Sequence, residues 1–61
     1  MYKYTEEELD YALEEWHESC IRTGQYDIEE MAEEFISENP HMRLDIAEII
    51  GRLQDIDSYL G

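Results

Sequence analysis

The apolar residues of this 61-residue chain recur three and four positions apart. Leu9, Ala12, Leu13, Trp16 and Cys20 form one series, and Ile28, Met31, Ala32, Phe35 and Ile36 form a second. Ile46, Ile49, Ile50, Leu53, Ile56 and Leu60 form a third. At about 100° per residue, each series lies along one face of an α-helix. No stretch alternates with the period of two that a half-buried strand requires. The pattern therefore predicts an all-α fold of three helices.

Start and stop residues bound these helices. Thr5 is a predicted N-cap, with Glu8 completing a capping box and Tyr4 stapled to Leu9. Gly24 is a natural stop. Asp27 and Glu30 repeat the opening chemistry, with Tyr26 placed to staple Met31. The later registers differ, so "YTEEEL" and "YDIEEM" share a start rather than mark a repeat. Asn39-Pro40 ends the second helix, because a residue before proline avoids the helical region. The third is predicted over Arg43 to Tyr59, with Glu48 and Arg52 paired at i,i+4. Connections of about four to six residues make neighbours antiparallel. The expected architecture is a small three-helix bundle with roughly antiparallel neighbouring helices, a single acidic domain over residues 1–61.

Charge is the second constraint. Seventeen Asp and Glu oppose four Lys and Arg, a formal charge of −13. Such a charge favours disorder, but 43% hydrophobic residues at regular intervals favour a packed fold. A domain of this size buries only about 60% of its unfolded surface, too little to shield a deep catalytic cleft. The charge argues against direct binding to nucleic acid or an anionic membrane and favours basic partners. The lone Cys20 forms no internal disulfide. No apolar run approaches the ~20 residues of a membrane span, and "MYKYTEEE" lacks a signal-peptide pattern. The expectation is a soluble protein in a reducing cytoplasm.

On a helical wheel, Glu7, Glu14, Glu15 and Glu18 lie opposite Leu9, with Asp10 at the boundary. Glu29, Glu30, Glu33 and Glu34 take the outer side of the second helix, with Glu38 at its edge. Acids in a first turn complement the helix dipole, which accounts for Glu6, Glu7, Glu8, Glu29 and Glu30. It does not account for Glu14, Glu15, Glu18, Glu33, Glu34 and Glu38. Those lie where cations are preferred, and Glu14 with Glu18 or Glu30 with Glu34 repel at i,i+4. At 1.5 Å per residue, the first two helices side by side carry about one charge per 2 Å, against one per ~1.7 Å for duplex DNA. A solvated face is the plainer reading, but solubility asks for a net charge of only ~2–8. Tyr11 falls among these acids and offers an aromatic anchor for an Arg-rich surface. The expected partner contacts are Glu7, Tyr11, Glu14, Glu15, Glu18, Glu30, Glu33 and Glu34.

Other motifs carry less. Glu14-x-x-His17 matches half of a di-iron pair, which needs two copies and two further carboxylates. His17 and Cys20 have metal-ligand spacing without the remaining ligands. His17 reads as a boundary residue, Cys20 as a small buried hydrophobe, and His41 as a loop residue. No metal, cofactor or catalytic residue is assigned, and the chain is expected not to be an enzyme. In the third helix Leu44, Ala47, Gly51 and Ser58 flank the main stripe. Small residues there suit close packing within the bundle or a homodimer that relieves a marginal core.

The expected function is that of a small acidic binding protein that inhibits by occluding a basic, nucleic-acid-binding surface of a partner protein. The chain resembles acidic nucleic-acid-mimic inhibitors in charge and size, and in no motif. Phage and mobile-element inhibitors of host defence, anti-restriction or anti-CRISPR, are the setting this implies. The alternative is a helical adaptor that self-associates or binds through the third helix.

Overall fold

The computed structural model describes residues 4–60, for Leu60 the backbone alone. Three helices form a bundle: α1 (Glu6–Arg22), α2 (Ile28–Glu38) and α3 (Ile46–Leu60), with a 3-10 turn at Pro40–Met42. The capping box that opens α1 is complete. Glu8 N donates to Thr5 Oγ1 at 3.1 Å, and Thr5 N donates to Glu8 Oε1 at 3.2 Å. Gly24 closes α1 with a positive φ of 91°. Its N–H meets Ile21 O at 3.0 Å, and Gln25 N meets Cys20 O at 2.8 Å. That pair of bonds is a Schellman motif, which needs a left-handed residue at the glycine.

The start of α2 differs from expectation. Asp27 Oδ1 accepts from Glu29 N at 3.0 Å and Glu30 N at 3.4 Å. Glu30 does not close the box. Gln25 takes that role: its Oε1 accepts from Asp27 N at 3.0 Å while its Nε2 donates to Glu30 Oε2 at 3.3 Å. Tyr26 is 68% exposed, so no staple to Met31 forms. Side-chain hydrogen bonds of Gln25, rather than an apolar contact, set the entry into α2.

α3 begins at Ile46, three residues later than expected. Pro40 opens the 3-10 turn, and Arg43 takes the left-handed conformation at φ 53°, which no right-handed helix can include. Asp45 then starts the helix, accepting from Ala47 N at 3.4 Å through Oδ1 and from Ile49 N at 3.0 Å through its carbonyl.

The predicted stripes meet in one core. Leu9, Leu13, Met31, Ala32, Phe35, Ile49, Leu53 and Ile56 are buried together with Cys20. The Trp16 indole stands edge-on to Phe35, with centroids 5.6 Å apart, and donates to the Met31 carbonyl at 3.0 Å. Ile46 departs from the stripe: in the first turn of α3 it remains exposed. The Leu60 side chain lies outside the described residues.

Two polar contacts join α1 to α3. His17 is a buried residue rather than a boundary one, and its Nε2 donates to Asp57 Oδ1 at 3.0 Å. Arg52 reaches beyond its expected partner Glu48. Nη1 donates to Asp10 at 2.6 Å, Nη2 to Glu6 at 3.2 Å, and Nε to Glu48 at 3.1 Å. Residue 52 thus meets the start of α1 and residue 57 its later half, so these helices run in the same sense with α2 antiparallel to both. The radius of gyration is 10.9 Å, near the ~10.5 Å of a compact chain this long.

The small-residue strip does not pack inside the bundle. Ala47, Gly51 and Ser58 are exposed, opposite Ile49, Leu53 and Ile56, whereas Leu44 packs against the core. A Cβ on Gly51 would meet nothing within 4 Å.

Gly51→Ala is therefore expected to stabilise the fold by about 0.5–1 kcal/mol, raising the thermal midpoint by roughly 2–8 °C by circular dichroism. Arg52→Met leaves Glu6, Asp10 and Glu48 facing one another without their cation. It is expected to cost about 1–2 kcal/mol in urea denaturation, more than a single surface pair.

Candidate protein-binding surface

Tyr11 stands at the centre of the outer face of α1, 66% exposed. The helix turn places Glu7, Glu14, Glu15 and Glu18 around it, all exposed. Hydrogen bonding with Glu15, then the charges of Glu15 and Glu14, raise the Tyr11 pKa above its ordinary value. The phenol therefore stays neutral over the physiological range and remains an aromatic surface among carboxylates.

The predicted contact residues are all exposed, but they are not equivalent. Glu18 is paired with Arg22 at 2.7 Å, which offsets part of its charge. Glu30 is held by Gln25. Glu34 lies beside α1, close enough for its charge to act on Cys20. Glu33 turns about 100° away from Glu34 around α2. The acidic surface is thus the outer face of α1 joined to one flank of α2, and Glu33 is set apart from it.

Grooves border this face on both sides of α1. The first has a volume of about 550 Å³ and lies between α1, α2 and the 3-10 turn, lined by Glu7, Tyr11, Phe35 and Met42 among others. The second, of about 720 Å³, lies between α1 and α3, lined by Asp10, Glu14, Arg52, Asp55 and Tyr59 among others. The acidic surface therefore continues onto α3. Sequence reasoning missed Asp55 and Tyr59, which sit four apart beside the position of Arg52 on the wheel. That spacing could have placed them on the α1-facing flank.

Other chemistry is sparse. Among the described residues no three His, Cys, Asp or Glu side chains are placed to hold a metal ion. Burial, then the charge of Glu34, pushes the Cys20 thiol up, so it is protonated and weakly nucleophilic at neutral pH. Among the described residues no helix is long and apolar enough to cross a membrane. The strip proposed for self-association divides, since Leu44 joins the core while Ala47, Gly51 and Ser58 face outward.

Comparison of the chain with protein-family models, with curated proteins and with solved structures found no match.

The position of Glu34 has a measurable effect. Glu34→Lys is expected to lower the pH at which Cys20 forms thiolate, read by ultraviolet absorbance, while Glu33→Lys moves it little. Equal shifts from the two variants would place Glu34 away from α1.

Proposed function

We propose that this chain is a small non-enzymatic binding protein that occludes a basic, nucleic-acid-binding surface of a partner protein. The observation that carries the reading is where the cations go. Arg52 is spent on Glu6, Asp10 and Glu48 at the α1–α3 seam, and Arg22 on Glu18. Arg43 lies in the turn before α3. Among the described residues, no cation pairs with Glu7, Glu14, Glu15 or Glu34. Each unrelieved i,i+4 repulsion costs a few tenths of a kcal/mol. A basic partner relieves that repulsion on binding, and the charge would speed its approach in a salt-sensitive way.

The row of like charges formed by Glu7, Glu14, Glu15 and Glu34 makes a groove evolved for phosphates a fitting partner. The chain itself would bind neither nucleic acid nor an anionic membrane. A cytoplasmic inhibitor of host nucleases, carried by a phage or mobile element in the anti-restriction or anti-CRISPR manner, is the setting this reading suits.

A second reading has its own observation. Ala47, Gly51 and Ser58 form an exposed uncharged strip with open space around Gly51. A homodimer or adaptor built on that strip would leave the acidic face to prevent non-specific association. Gly51→Leu would disperse such an assembly in analytical ultracentrifugation.

The deciding experiment is capture from a cell lysate at low and moderate salt, beside a variant carrying Glu7→Lys, Glu14→Lys, Glu15→Lys and Glu34→Lys. The expected result is a basic protein retained by the native chain alone and released by added DNA or RNA. Retention of the same protein by both forms would move the interface to α3.

A further inference from the structure

We propose that the groove between α1, α2 and the 3-10 turn receives an arginine side chain of the partner. The inference rests on the partner being basic, as proposed above, and adds which cation it must present and where. The groove has a volume of about 550 Å³. Its lining divides by chemistry. Ala12, Phe35 and Met42 offer apolar surface, Tyr11 an exposed aromatic ring, and Glu7 and Glu8 two carboxylates.

That combination matches arginine better than lysine. A guanidinium is planar and weakly hydrated, stacks on aromatic faces, and bonds a carboxylate through two parallel N–H groups. An ammonium is compact and strongly hydrated, so it gains less from an aromatic wall and an apolar floor. The methylenes of the arginine stem would lie along Ala12 and Met42. Glu8 Oε1 is already occupied by the amide and hydroxyl of Thr5. Glu7 has no hydrogen-bond or ion-pair partner among the described residues, which leaves it to take the guanidinium.

The groove on the other side of α1 is the larger, and it lacks this fit. Arg52 lines it and is already bound to Asp10 there. A second guanidinium would meet a cation whose carboxylate is taken. Among the described residues, the lining of the first groove holds no Lys or Arg.

The test uses two short lysine peptides, one with a single central arginine and one with lysine there, titrated into isotopically labelled protein by NMR at low salt. The arginine peptide is expected to bind roughly fivefold more tightly, with shifts concentrated at Tyr11, Ala12 and Met42. Ala12→Trp, which fills the groove, should remove that preference and keep the affinity for the lysine peptide. Tyr11→Ala should do the same at an exposed position, should the tryptophan variant fail to fold. Equal affinity for the two peptides, or an arginine preference that survives both substitutions, overturns the groove and leaves the basic-partner reading standing. Failure of both peptides to bind overturns that reading and the groove with it.

Discussion

A small core holding together a large like charge is the constraint on which this structure depends. Nine buried residues form the apolar cluster, and seventeen carboxylates surround it. Helix propensity alone does not stabilise segments of this length in water, so the helices persist through their packed faces. Each acid is then tolerable only where it is compensated or well solvated. The first turns of α1 and α2 use the helix dipole for this, and Arg52 gathers Glu6, Asp10 and Glu48 across two helices. Once those devices are in use, the outer face of α1 is where the remaining charge collects.

Seen this way, the acidic face and the Arg52 cluster are two sides of one distribution. Compensation is concentrated where α1 must stay against α3; where α1 meets solvent, the described residues show the Glu18–Arg22 pair. The same asymmetry separates the grooves on the two sides of α1, since one holds Arg52 and the other holds Tyr11 beside Glu7, which has no ion-pair partner among the described residues.

Local chemistry was legible in the sequence, and long-range pairing was not. Thr5 with Glu8, Gly24 and Asn39-Pro40 act within four residues of themselves, so their roles follow from spacing alone. The core stripes also follow, because burial on a helix repeats with its turn. His17 was misplaced because its partner Asp57 lies 40 positions away, and only the packed bundle makes a histidine at that wheel position buried. The reach of Arg52 to Glu6 spans 46 positions and was missed for the same reason. Gln25 escaped notice because an amide can cap through either end, and spacing does not say which side chain will win. Gly51 suggested close packing, yet its Cα faces open space. A small residue gives permission for approach and does not specify what approaches. The acidic face was readable as a face on each helix, while the way α1 and α2 share it depended on their packing, which set Glu33 apart.

Trp16 has a use beyond holding α1 to α2. It is the only tryptophan in the chain, so all of the indole emission comes from that one ring. The ring touches Phe35, and Phe35 is part of the lining of the groove beside Tyr11. The molecule thus carries an optical reporter one side chain away from its candidate anchor point. Whatever enters there alters the surroundings of a fluorophore already in place, without any label being attached.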